Sequence, residues 1–335
     1  MKFDCIGFGS INIDEFWETS PEFLELIGLL PGEEVVRDVS WFNEYYPTLS
    51  RLGTLRAIGP GGSAANTIAA LRKMGFSTGF FGSVGDDIHG KMDLEELGSN
   101  NHLRIKHIDL PSGRCLALLN NEDHLRDRSL VILPNANDLV QMVTTDLSYF
   151  CNSSWIHFTS FVSEGPLKSQ KELIKNLPHG VNVCFDPGLV YCRLGLSALE
   201  PIIARSNILF LTAQELTVLM GPDSVENSVS RLFSFGVNTV IVKLGSKGLK
   251  AFRSSDTWFQ AAAYTHRVVD TTGAGDVAAA GILAGQILSL PMADCLALAA
   301  NASARSIQGY GRSMYPDREY LRNFLADLNG RAHSC

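Results

Sequence analysis

Along most of this chain, short apolar or β-branched runs at 3–9, 79–84, 155–159, 182–185, 207–211 and 239–244 alternate with stretches of helical period. Each run is bounded by Gly, Asp, Asn or Ser and is apolar without strict alternation, which predicts a strand buried on both faces. Helical spacing covers 64–74, 167–176, 213–220 and 225–235, and then two long late stretches at 277–290 and 293–307. Strands separated by helices pair in parallel, because only a long crossover returns the chain to start the next strand in the same direction. The expectation is an α/β fold with a central, mainly parallel sheet between two layers of helices. The punctuation agrees: Ser63 stands where it can cap the helix that Gly75 ends, and Pro291 stops the helix before it.

Two stretches, 15–58 and 103–133, break the alternation with mixed polar and aromatic sequence that reads as extended over much of its length. They are read as a small lid on a single domain spanning 1–335. Trp41, Phe42, Tyr45 and Tyr46 in the first stretch belong to the core of that lid, to a contact between subunits, or to a wall over a bound molecule. With 45% hydrophobic and 19% charged residues, the chain can bury a large core. A net charge of −7 and the lack of any Lys/Arg run argue against nucleic acid and anionic membranes as partners. The 7 cysteines are scattered and never form a Cys-x-x-Cys pair, so neither a disulfide framework nor a zinc site is indicated. The longest apolar stretch, 277–290, falls short of the roughly 18 residues a membrane span needs. The first apolar run is too short for a signal-peptide core, and the expected location is cytoplasmic.

Asp270-Thr271-Thr272-Gly273-Ala274-Gly275-Asp276 turns on its glycines and leads into a helix of small residues. Backbone N–H groups of Gly273, Ala274 and Gly275 at a helix N-terminus can hold the charge of a transferring phosphoryl group. Asp276 then stands where it can accept the proton of an attacking hydroxyl. Taken alone, the segment is equally a capped tight turn without chemistry. A second glycine-marked turn, Lys243-Leu244-Gly245-Ser246-Lys247-Gly248, follows a strand and exposes backbone suited to nucleotide phosphate or ribose, although a plain β-turn has the same form.

Near the N-terminus, Gly7-x-Gly9 is followed by Asn12 where a dinucleotide fingerprint needs its third glycine, which makes a nicotinamide-dependent oxidoreductase the weaker reading. Asn12 and Asp14, two apart on an extended segment, share one side and can bond adjacent hydroxyls of a polyol or ribose. Gly61-Gly62-Ser63-Ala64-Ala65-Asn66 opens a helix with glycines that let a ligand approach the backbone, and Asn66 is a poor interior helix residue unless its amide is used.

Together these segments resemble the ribokinase-like carbohydrate and nucleoside kinases of the PfkB family over nearly the whole chain. Residues 270–276 resemble its C-terminal signature, and residues 61–66 with 82–87 its N-terminal one. The resemblance implies a three-layer α/β/α fold with a small β lid, and ATP-dependent phosphorylation of a small-molecule hydroxyl in the presence of Mg²⁺. It leaves a monovalent-cation requirement open, and its assembly is a monomer or a lid-mediated homodimer. It makes Asp276 the base and Gly273, Ala274 and Gly275 the anion hole. By the same resemblance Asn12, Asp14, Gly61, Gly62 and Asn66 contact the acceptor, while Lys243, Gly245, Ser246 and Gly248 form the nucleotide loop. Asn301 falls at the adenine edge, and Glu215 holds Mg²⁺ through water. The chain departs from the family where Thr212 replaces the Asn of an Asn-x-x-Glu motif, where Gly188 stands in Asp186-Pro187-Gly188, and at Ala278.

A sugar is the acceptor this reading favours. A nucleoside is the alternative, because Ser112-Gly113-Arg114-Cys115 and Arg128-Ser129-Leu130 resemble adenosine-kinase relatives. A non-catalytic relative that only binds ligand is the third reading, kept open by Thr212.

Overall fold

The computed structural model describes residues 2–30, 32–98, 102–120 and 128–332. The large sheet runs, edge to edge, β14 (Thr257–Gln260), β13 (Leu249–Phe252), β12 (Thr239–Lys243), β11 (Ile208–Thr212), β10 (Asn182–Asp186), β9 (Ser153–Thr159), β1 (Phe3–Phe8), β5 (Thr78–Gly85), β6 (Leu103–Ile108). From β12 to β6 every pairing is parallel; only β13 and β14 join antiparallel. One apolar layer packs helices Ser63–Met74, Ala274–Ile287 and Met292–Ser306 on this sheet, and a second packs helices Glu164–Asn176, Leu196–Arg205 and Ala213–Met220 on the other face. The late helices are rich in Ala and Gly because they lie against each other almost backbone to backbone: a Cβ added at Gly281 would sit 2.5 Å from Ala299 Cα.

A second sheet, ordered β3 (Glu34–Val36), β8 (Arg128–Leu133), β7 (Gly113–Asn120), β2 (Asn12–Thr19), β4 (Thr54–Gly61), lies over the C-terminal ends of the parallel strands. Its limits differ from those expected. The segment Leu103–Ile108 pairs with β5 as the edge of the large sheet, and the smaller sheet begins at Asn12. The first stretch also contains a helix, Val39–Leu52, where extended chain was expected. Its aromatic residues recur at 42, 45 and 46 and continue at Leu49, which is helical spacing. Asp38 caps it by accepting a hydrogen bond from Trp41 N at 2.9 Å.

Trp41, Phe42, Tyr45 and Tyr46 pack with Trp17, Phe23 and Leu49 into the core of the small sheet. Beneath them Glu15, 1% exposed, is fully engaged. It accepts from Trp17 Nε1 (3.0 Å), Tyr46 Oη (3.0 Å) and Arg114 Nη1 (2.8 Å). Asp87 ties the two sheets together by capping helix Ile88–Leu97 through Gly90 N (2.8 Å) and accepting from Ser112 N (2.8 Å) and Ser112 Oγ (2.6 Å). Among the described residues no helix is long and apolar enough to cross a membrane.

Candidate active site

Two cavities meet under the small sheet, separated by the turn that opens helix Ala274–Ile287. The first, of about 330 Å³, is bounded by Asn12, Asp14 and Arg128 from the small sheet, by Gly62, Ser63 and Asn66, and by Asp186, Glu215 and Asp276 from the large one. The second, of about 640 Å³ and mainly apolar, is bounded by Lys243, Gly245, Ser246, Gly248 and by Ala300, Ser303 and Ala304. Thr271, Gly275 and Arg128 border both.

Gly273, in the left-handed region at φ 73°, is the N-cap of the helix, so Asp276 is a first-turn residue rather than a cap. The amide of Ala274 is committed to Thr271 O at 3.2 Å. Among the described residues the amides of Gly273, Gly275 and Asp276 meet no protein acceptor, and all three residues border the first cavity. Ser63 does not cap its own helix, whose N-cap is Gly62 at φ 87°. Its Oγ donates to Asp276 Oδ1 at 2.6 Å, and Asn66 Nδ2 donates to Asp276 Oδ2 at 2.9 Å. Burial pushes the Asp276 carboxyl up to about 6, against the pull of these hydrogen bonds.

Asp14 is 6% exposed, and no hydrogen bond reaches its carboxyl among the described residues. Burial raises it to about 7, with Arg312 opposing and Asp270 and Asp276 adding to the rise. Asn12 faces the same cavity with its amide oxygen occupied by Asn137 Nδ2 at 2.7 Å, which turns its own NH₂ toward the open space. Gly61 departs from expectation, because it stands behind Asp14 rather than on the cavity: a Cβ there would lie 2.1 Å from the carboxylate. Gly62 borders the cavity.

On the other side Lys243, its side chain 12% exposed, is salt-bridged to the buried Asp186 at 2.6 Å. Burial works to lower its pKa, but Asp186 and Glu215 outweigh that and hold it as a cation. A Cβ on Gly275 would lie 3.5 Å from its Nζ, so the ammonium sits beside the first turn of helix Ala274–Ile287. Glu215 and Thr212 form a capping box, with Thr212 N to Glu215 Oε2 at 2.6 Å and Glu215 N to Thr212 Oγ1 at 3.1 Å. Thr212 therefore supplies the local cap in place of the family's Asn.

Asn301 does not reach the second cavity. It is exposed on the outer face of helix Met292–Ser306, bonded to Ala297 O at 2.8 Å and bordering a separate hollow with Arg305 and Asp317. Its neighbours Ala300, Ser303 and Ala304 face the cavity instead, since one residue turns a helix by about 100°. The dinucleotide reading also falls, because β1 leads directly into β2 and no helix N-terminus follows Gly9.

The family model for pfkB carbohydrate kinases matches residues 22–317. The chain belongs to the pfkB family of carbohydrate kinases. It is a phosphotransferase acting on a hydroxyl group. The kinase is 30% identical over 247 residues to an uncharacterized sugar kinase of Archaeoglobus fulgidus, covering 72% of this chain and 95% of that protein. It is 28% identical over 280 residues to a ribokinase of Arabidopsis thaliana, covering 79% and 72%. Among solved structures it superposes on adenosine kinase from Sinorhizobium meliloti with a TM-score of 0.85 at 22% identity, over 97% of this chain and 100% of that one. It also superposes on Arabidopsis thaliana ribokinase complexed with ribose and ATP, with a TM-score of 0.76 at 25% identity, over 97% and 99%.

Several residues of the kinase's site carried no signal of their own in the sequence. Ser63 looked like a cap, Asn137 lies in a 3-10 turn far along the chain, and Asp186 was legible only as part of Asp186-Pro187-Gly188. Arg128 donates to Thr271 Oγ1 at 2.6 Å, reaching from the small sheet to the turn that opens helix Ala274–Ile287.

Proposed function

We propose that the kinase transfers the γ-phosphoryl group of ATP to a hydroxyl of an unphosphorylated small sugar. The observation that carries this is the position of Asp276 on the first cavity, one residue past Gly275, which borders both. ATP lies in the apolar second cavity along Lys243 to Gly248, and the acceptor lies between Asn12, Asp14 and Asp276. Asp276 takes the acceptor's hydroxyl proton as that oxygen bonds to the γ-phosphorus and the bond to the β–γ bridging oxygen breaks, releasing ADP. The amides of Gly273, Gly275 and Asp276, with Lys243, meet the charge on the transferring group.

Asp186 and Glu215 fit a Mg²⁺ held largely through water, because two nearby carboxylates suit a hard cation that keeps most of its hydration shell. When bound it would neutralise phosphate charge. Asp270, 8% exposed, has an Oδ2 without partner, which suits a monovalent cation behind the turn.

The acceptor cavity carries Asp14, Glu34, Asp138, Asp186, Glu215 and Asp276 against one cation, Arg128, among the described residues. A phosphate already on the acceptor would face repulsion there, which favours neutral sugars over sugar phosphates. A nucleoside acceptor is the second reading, favoured by the apolar strip of Leu130, Ile132, Phe161 and Val190. The four lid aromatics pack away from the cavity, and Phe161 is the single ring on it among the described residues, which favours the sugar.

The test is ATP consumption with Mg²⁺ over ribose, fructose, their phosphates and purine nucleosides. Turnover of a free sugar supports the assignment. Turnover confined to nucleosides moves it to the second reading, and turnover confined to sugar phosphates overturns it. Unpaired cysteines suit a cytoplasmic setting. Leu55 and Ile58, 39% and 44% exposed on β4, suit pairing of two lids in a homodimer, which sedimentation would detect.

A further inference from the structure

Arg312, in the turns that follow helix Met292–Ser306, is 3% exposed and borders neither cavity, yet it is bonded into the site from behind. Its Nε donates to Asn66 Oδ1 at 3.0 Å, and its Nη2 donates to Gly61 O at 3.0 Å. Nη1 reaches Glu96 Oε2 at 3.4 Å, and the Arg312 carbonyl accepts from Lys73 Nζ at 2.6 Å. The guanidinium is thus held from several sides in one orientation.

An Asn amide has one acceptor end and one donor end, and a half-turn exchanges them. With its oxygen taken by Arg312, Asn66 presents Nδ2 to Asp276 Oδ2 at 2.9 Å. Turned the other way, Asn66 would set its oxygen against the carboxylate and its NH₂ against the Arg312 N–H, and Asp276 would lose the donor that fixes one oxygen while Ser63 fixes the other. The bond to Gly61 O acts on the same region, because Gly61 backs directly onto the Asp14 carboxylate.

We propose that Arg312 is a positioning residue of the phosphoryl-transfer centre, acting through Asn66 to hold the Asp276 carboxylate in line with the acceptor hydroxyl. This rests on the reading of Asp276 as base. A carboxylate free to rotate loses alignment, and misplacement of about 1 Å costs on the order of 10²-fold in rate.

The test is a double-mutant cycle on the full chain with Arg312→Met, Asn66→Ala and both together. Turnover is measured with Mg·ATP and D-ribose, D-fructose or adenosine. Titration of Asp276, followed by carboxyl ¹³C resonance and identified by its loss in Asp276→Asn, needs no acceptor. The expected result is a fall in kcat of about 10²-fold in each single variant with KM for ATP within about twofold, and a raised Asp276 midpoint in both. In the Asn66→Ala background, Arg312→Met adds nothing to either readout. Arg312→Lys, which keeps a donor and the charge, recovers part of the loss and serves if Arg312→Met does not fold. Additive effects in the cycle, or an unchanged midpoint and kcat in a folded Arg312 variant, overturn the proposal. Normal turnover in Asp276→Asn would instead remove the base reading, while the coupling of Arg312 to the Asp276 midpoint is still read separately.

Discussion

Replacing Asp14 by Asn should make the protein more stable at alkaline pH while removing acceptor binding. The carboxyl is 6% exposed, lacks a hydrogen-bond partner among the described residues, and is raised by burial from 3.8 to about 7. A raised carboxyl favours the folded state at low pH, and that contribution is lost as pH rises from the unfolded value through the folded one. Relative to acid conditions, the ionised group at pH 8 therefore costs roughly 4 kcal/mol, taking 1.36 kcal/mol per decade. At pH 5 the same penalty is roughly 2 kcal/mol. Asn keeps the shape without the charge, and its burial costs about as much as that of the protonated acid, about 1–3 kcal/mol for either. The net effect at pH 8 is therefore a gain of about 4 kcal/mol, and the gain shrinks by about 2–3 kcal/mol between pH 8 and pH 5. Urea unfolding at the two values, wild type against Asp14→Asn, reads this directly, with calorimetry for acceptor binding. A gain equal at both pH values, or larger at pH 5, would refute the reasoning, because it would mean that no buried charge is relieved. Retained acceptor affinity in the more stable variant would separate Asp14 from binding.

The remaining predictions concern the reacting centre. Asp276→Asn should lower kcat by about 10²–10⁴-fold with ATP affinity nearly unchanged, measured by steady-state kinetics and nucleotide titration. A base works deprotonated, so kcat of the wild type at saturating acceptor should rise as pH increases through about 6 and level above it; a profile flat from pH 5 to 8 would contradict the assignment. Gly61→Ala would drive a methyl group into the Asp14 carboxylate, 2.1 Å from the built Cβ, and should raise the acceptor KM more than that of ATP. Lys243→Met leaves Asp186 buried without its partner and should destabilise the fold by about 3–5 kcal/mol in urea titrations, besides lowering turnover.

The parallel sheet was legible because each strand is buried on both faces, so its apolar run is continuous and its helices are evenly interposed. The helix Val39–Leu52 was obscured because its stripe is built of Trp, Phe and Tyr, which suit strands equally, and because Pro47 lies inside it. Leu103–Ile108 could not be assigned to the large sheet from its own residues, since pairing with β5 is a fact about the partner strand. At the site, residues 270–276 and the 243–248 turn were visible because glycine spacing leaves a local mark. Asn301 was misplaced because a helix face is decided by its packing, and Ala300, Ser303 and Ala304 turned to the cavity instead.

By itself, then, the order of residues determined the chemistry on offer: a helix N-terminus free of side chains, a carboxylate one turn inside it, and an Asn and Asp two apart on a strand. Tertiary structure alone decided how that chemistry is aimed. Ser63, Asn66 and Arg312 come from positions 63, 66 and 312 to hold one carboxylate at 276, and Asn137 comes from a 3-10 turn to orient Asn12. Hydrogen bonds of this kind join residues as far as 251 positions apart, and no local period or spacing encodes them. They exist because folding brings buried polar groups together, where most find a partner and a few, such as the Asp14 carboxyl among the described residues, do not.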